Sequence, residues 1–182
     1  MRDMDISSHF VCTLREAKTL IDKHAQFWIS SCWCRENMES IENSRPDVCI
    51  VFTPDSIGTD SNVREVDKDF VCDILEETKS KHLVSTLFYG KAGSQQIQGV
   101  CICRSFFENP NKISEKGNFI EETDINACIA CGTCVDVCYF KAREIRDGEL
   151  VDHREQCYGC GLCVDVCPMH CITMSPRQHN KR

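Results

Sequence analysis

Apolar positions along the first hundred residues change period several times, and each change marks an element. Leu14, Ala17, Ile21, Ala25 and Trp28 fall at helical spacing and predict an amphipathic helix from Leu14 to Trp28. Ser30 to Cys34 reads as a loop. A short helix over Glu36 to Asn43 stops before Pro46, whose ring lacks an N–H and disfavours a helical residue ahead of it. Val48 to Phe52 is a continuous, β-branched apolar run, the pattern of a buried strand. After a polar turn region over Pro54 to Asn62, residues Val66, Phe70, Ile74 and Leu75 outline a second helical face that ends near Lys79. Leu83 to Tyr89 and Ile97 to Cys103 read as strands on either side of a polar turn holding Gly90 and Gly93. Helices and strands alternate, so residues 1–107 are expected to form a small α/β domain.

Residues 108–123 are polar, with the turn-forming Asn109-Pro110-Asn111 and Gly117, and are expected to be a linker. Phe106 and Phe107, just ahead of it, are expected to pack the two halves together. Residues 124–174 then contain an internal repeat. Cys128 to Cys138 reads CIACGTCVDVC and Cys157 to Cys167 reads CYGCGLCVDVC, an offset of 29 residues. Between the copies, Asp147-Gly148 inside IRDGELVD (Ile145 to Asp152) is a hairpin signal. Residues 175–182 read as a polar tail. The fold class expected for the whole is α+β, with a small α/β unit followed by a domain of short hairpins and short helices.

The repeat carries the chemistry. Cys128, Cys131, Cys134 and Cys138 have the spacing C-x₂-C-x₂-C-x₃-C, and Cys157, Cys160, Cys163 and Cys167 repeat it, followed by Pro168. Three cysteines two residues apart can place thiolates on three corners of one cubane within a single tight loop, and that loop turns N–H groups toward the cluster sulfurs. Gly132 and Gly161 are expected to allow close backbone approach. In this spacing the fourth cysteine reaches the other cluster. The expected ligands are therefore Cys128, Cys131, Cys134 and Cys167 for cluster one, and Cys157, Cys160, Cys163 and Cys138 for cluster two. Zinc fits less well, because its structural sites pair two short knuckles into one set of four ligands.

On these motifs, residues 124–174 resemble a bacterial-type ferredoxin domain with two [4Fe–4S] clusters. The resemblance implies a pseudo-twofold fold of two hairpins and two short helices, with electron transfer as the activity. One position departs from the family pattern: proline usually follows the fourth cysteine of each motif, and here Tyr139 stands in the first of those places. Cys171, a ninth cysteine of the region, aligns with Ala142 in the repeat and is expected to be a small apolar side chain packed beside a cluster.

Seven of the 16 cysteines lie upstream. Cys12 and Cys72 sit singly in helical or partly apolar sequence and are expected to pack as small hydrophobes. Cys32 and Cys34, then Cys49, then Cys101 and Cys103 form two C-x-C pairs around a lone cysteine, each pair followed by arginine, Arg35 or Arg104. Their softness suits a third iron–sulfur cluster or a zinc ion. The pattern Cys32-Trp33-Cys34-Arg35, Pro46, Cys49-Ile50-Val51-Phe52 and Cys101-Ile102-Cys103 resembles segments found upstream of ferredoxin domains in uncharacterised iron–sulfur proteins of anaerobes.

Composition limits the remaining choices. The chain is 182 residues long with a net charge of −7, and no basic stripe points to nucleic acid. MRDMDISSHF, at the N-terminus, lacks an apolar signal core, and no stretch approaches the ~18 apolar residues of a membrane span. A cytoplasmic protein is expected, in a compartment where dense cysteine means metal more often than disulfide. The six histidines, His24 and His153 among them, are scattered without an orienting partner, and no catalytic motif or phosphate-cradling loop is present. The chain is expected to be an electron carrier or an electron-relay subunit of a larger oxidoreductase rather than an enzyme by itself. Its expected partner is a redox protein. The alternative is a redox- or metal-sensing regulator with a labile N-terminal site.

Overall fold

The computed structural model describes residues 9–31, 47–53, 63–89, 96–102 and 115–178. Among these residues, the first half is a six-stranded sheet with two helices. The strands are β1 (His9–Cys12), β2 (Phe27–Ser31), β3 (Asp47–Val51), β4 (Arg64–Val66), β5 (Ser85–Tyr89) and β6 (Ile97–Ile102). Their order across the sheet is β1-β5-β6-β3-β2-β4, and every pairing is antiparallel. This mixture of helices and antiparallel sheets is consistent with the α+β class expected for the chain.

Helix α1 (Leu14–Ile21) begins at a reciprocal cap. The Glu16 N–H donates to Thr13 Oγ1 at 3.1 Å, and the Thr13 N–H donates to the Glu16 carboxylate at 2.9 Å. Helix α2 (Lys68–Ser80) starts at Asp67, whose side chain accepts from the Phe70 N–H at 2.8 Å. Helix α1 is shorter than its apolar spacing suggested. Ala25 and Trp28 continue the helical period, yet Phe27 to Ser31 pairs with β3 on one side and β4 on the other. Aromatic and β-branched residues favour that half-buried pleated position. The expected helix over Glu36 to Asn43, and Phe106 and Phe107, lie outside the described residues.

The second half holds β7 (Phe119–Thr123), α3 (Thr133–Asp136), β8 (Arg143–Arg146), β9 (Glu149–Asp152), α4 (Leu162–Val166) and β10 (Ile172–Pro176). β7 pairs with β10, and β8 pairs with β9 through the two-residue Asp147-Gly148 turn, in which both residues have positive φ. Phe119 to Thr123, expected in the linker, is thus a strand of the cysteine-rich unit. Ser175 and Pro176, expected in the tail, close its pairing. Arg177 follows at once and donates to the carbonyls of Gly117 (3.1 Å), Phe119 (3.1 Å) and Cys157 (2.9 Å).

The two halves share one core. Val11, Cys12, Ala17 and Ile21 belong to the same buried cluster as Phe140, Tyr158 and Leu162. Tyr158 stacks on Phe140 with ring centroids 4.3 Å apart. Glu115 lies along the outer edge of β1: its N–H donates to the His9 carbonyl at 2.8 Å, and its carbonyl accepts from Val11 at 3.0 Å. That contact covers an edge otherwise open to pairing. At Gly117 the chain is squeezed between the halves, since a Cβ there would lie 2.1 Å from the Val11 carbonyl oxygen.

Candidate metal centre

Each cysteine motif is a loop leading into a short helix. Gly132 and Gly161 are the residues that cap α3 and α4, and both have φ of 83°, which side chains with a Cβ rarely adopt. Thr13 lies 3.3 Å from the position of a Gly161 Cβ, whereas nothing lies within 4 Å at Gly132.

Two cavities result. One is lined by Cys128, Cys131, Cys134 and Cys167, with Ile129, Ile145, Leu150, Met169 and Ile172. The other is lined by Cys157, Cys160, Cys163 and Cys138, with Val137, Phe140, Tyr158 and Leu162. In each, three cysteines come from one motif and the fourth from the other. Backbone N–H groups point at the sulfurs: Ala130 donates to Cys128 Sγ at 3.4 Å, and Ala142 to Cys138 Sγ at 3.3 Å. Four soft donors, an apolar wall and inward N–H groups are the donor set that a cubane cluster needs.

The surroundings of the cavities differ. Cys12, fully buried at the end of β1, lies beside Cys160, so the sheet closes over the second cavity. Ile129 and Met169, on the rim of the first, are 60% and 46% exposed. Burial pushes the Cys163 thiol up to about 12 and the Cys138 thiol upward. The exposed Cys131 is instead lowered, first by its hydrogen bond with Thr133. Filling the second cavity with metal therefore has to displace protons from weakly acidic thiols.

Arg143 connects the two cavities and was not singled out by the sequence. It is buried, with Nη1 donating to Glu121 at 2.8 Å and Nη2 to Thr123 Oγ1 at 2.5 Å. It also faces Cys134 from one cavity and Cys163 from the other. Burial opposes its charge, but Glu121 and the two thiols outweigh burial and hold it firmly protonated. In the repeat, position 143 corresponds to Ile172, so the duplication itself carried no sign of this charge.

Asp152 stands directly across from Arg143 in the hairpin. Asp152 Oδ1 and Glu121 Oε1 are buried without a donor among the described residues. A proton on Asp152, shared with Glu121, satisfies both. Burial, then the neighbouring Glu121, pushes Asp152 up to about 7, from an ordinary 3.8. The folded chain holds this proton where the unfolded chain has lost it, so the stabilisation is present at low pH and disappears as pH rises through about 7. Denaturant midpoints should fall between about pH 4 and 7, and Asp152→Asn, which keeps a donor for Glu121, should flatten that fall. An unchanged slope in the variant would remove Asp152 as its source.

Cys171 is buried, lines the first cavity, and has its sulfur 3.5 Å from that of Cys167. Cys12 is buried and Cys72 half-buried. Of the five cysteines expected at a third site, Cys32, Cys34 and Cys103 lie outside the described residues. Cys49 and Cys101 face each other on β3 and β6 with their sulfurs 3.2 Å apart. His24 stacks on Phe52 at 3.9 Å, and His153 contacts Glu144 at 3.1 Å.

Residues 120–168 match the family model of the 4Fe-4S dicluster domain. No curated protein matches the chain. The match supports an iron–sulfur domain of ferredoxin type in this segment, with binding of 4Fe-4S clusters. Among the described residues, no helix is long and apolar enough to cross a membrane.

Proposed function

We propose that the chain holds two [4Fe–4S] clusters and serves as an electron carrier or relay subunit, passing single electrons to a redox partner protein or within a larger oxidoreductase complex. Cys128, Cys131, Cys134 and Cys167 hold one cluster; Cys157, Cys160, Cys163 and Cys138 hold the other. The observation that carries this reading is the exchange of fourth cysteines between the two cavities. When bound, such clusters supply reversible one-electron exchange. The protein's part is to fix the thiolates, exclude water with Phe140, Tyr158, Leu150 and Ile172, and set Arg143 beside a cysteine of each cavity.

Iron and acid-labile sulfide in the anaerobically purified chain test the count. About eight of each per chain is expected from two clusters. About four would sink the two-cluster reading. About twelve would add a third cluster, to which Cys32, Cys34, Cys49, Cys101 and Cys103 are the candidates. The second reading, a regulator with an oxidant- or metal-responsive N-terminal site, draws on the contact between Cys49 and Cys101.

A further inference from the structure

We propose that Cys49 and Cys101 form a dithiol–disulfide couple, a site of reversible two-electron oxidation in the N-terminal sheet that reacts with small disulfides. The proposal does not rest on the two clusters of the C-terminal motifs, because its observations lie in the sheet. β3 and β6 place these residues directly opposite each other. Three residues further along, the Phe52 N–H donates to the Gln98 carbonyl at 2.9 Å, which marks Phe52 and Gln98 as a hydrogen-bonded pair. Pairs alternate along an antiparallel ladder, so Cys49 and Cys101 occupy a non-hydrogen-bonded pair, the kind with closer side chains and Cα atoms typically about 4.5 Å apart. That separation falls inside the span a disulfide accepts, roughly 4.4–6.8 Å.

The described neighbours in the sheet are small. The same row of the sheet continues through Thr86 beyond Cys101 and Ser30 beyond Cys49, two small hydroxyl residues that are both buried. With the sulfurs already 3.2 Å apart, closure to about 2.05 Å needs side-chain rotation and no change of strand register. Two thiolates of one cubane, by contrast, sit on different irons and are held well beyond contact.

Access sets the order of events. Cys101 is fully buried and Cys49 is half-buried, so Cys49 meets the reagent first. Its thiolate attacks one sulfur of a disulfide RSSR and expels RS⁻, leaving a mixed disulfide on Cys49. Cys101, deprotonated, then attacks the Cys49 sulfur and expels the second RS⁻. One S–S bond breaks and one forms in the chain. Two electrons pass from the two cysteines to RSSR, and the two cysteine protons end on the two released thiols or in solvent.

The test uses the full chain with its clusters loaded, incubated anaerobically with glutathione disulfide, quenched in acid, alkylated and mapped without reduction. A peptide linking Cys49 to Cys101 is expected, with two fewer alkylatable thiols among the 16 and full recovery on adding dithiothreitol. Cys49→Ser should abolish the linked peptide. The proposal is overturned if glutathione remains on Cys49 while Cys101 is alkylated, if either residue links to a different cysteine, or if neither reacts. It is equally overturned if both are shielded by zinc or iron that Cys49→Ser releases.

Discussion

Replacing Cys138 by alanine should disable the same cluster as replacing Cys160, although the two residues belong to different motifs. The prediction follows from the cavity that Cys138 shares with Cys157, Cys160 and Cys163. A double variant, Cys138→Ala with Cys160→Ala, should therefore lose no more four-iron signal than either single change, about half the total. Pairing Cys138→Ala with Cys131→Ala should instead disable both clusters. If each motif held its own cluster, the two doubles would exchange outcomes. Iron per chain and the integrated spin of the reduced protein distinguish the patterns without reference to activity. Non-additivity of this kind is what residues acting on one shared centre show, while separate centres add.

The second large effect is expected at Arg143. Arg143→Met keeps much of the side chain's bulk but leaves Glu121 buried beside it without its counter-charge. Removing one partner of a buried pair typically costs about 3–5 kcal/mol, because the remaining charge stays desolvated. The urea midpoint of the loaded protein should drop accordingly. Adding Glu121→Gln should restore part of the loss by removing that stranded charge. The potentials supply a separate readout. Arg143 faces a cysteine from each cavity, and a positive charge there favours the more negative, reduced form of a cluster. Both potentials should move downward in Arg143→Met, and in the double variant the loss of the Glu121 charge, which also faces Cys163, should bring the potential of that cavity's cluster part of the way back up. A shift in only one would show that the guanidinium serves a single cavity.

The parts of this molecule that could be read from sequence are those whose information is local. Cysteines with two or three residues between them determine their own loop, and Asp147-Gly148 determines its own turn, so both appear where expected. β2 was obscured because Ala25 and Trp28 happen to prolong the period of α1; the competing pull of β3 and β4 on Phe27 to Ser31 is nonlocal. Nothing in the local sequence marks Arg143. Its role depends on Glu121, 22 residues earlier in the chain. The segment read as a linker contains both Glu115, paired to the edge of β1, and β7, paired to β10. The turn-forming Asn109-Pro110-Asn111 lies outside the described residues, and the polar composition of the rest did not mean independence between the halves. Cys49 and Cys101 were noted as soft ligands, while their direct opposition arises only once β6 is inserted between β5 and β3.

Seating the sheet against Tyr158 and Leu162 has an effect that reaches past packing. Duplicated motifs tend toward equivalence, and two equivalent redox centres share an electron evenly, with no preferred end. Here one half of the duplication is walled by Cys12 and Thr13, while the other presents Ile129 and Met169 to solvent. Solvent access is one of the quantities that sets a cluster's potential. On the two-cluster function proposed above, the N-terminal sheet would bias an otherwise symmetric pair, giving the traffic of electrons an inside and an outside.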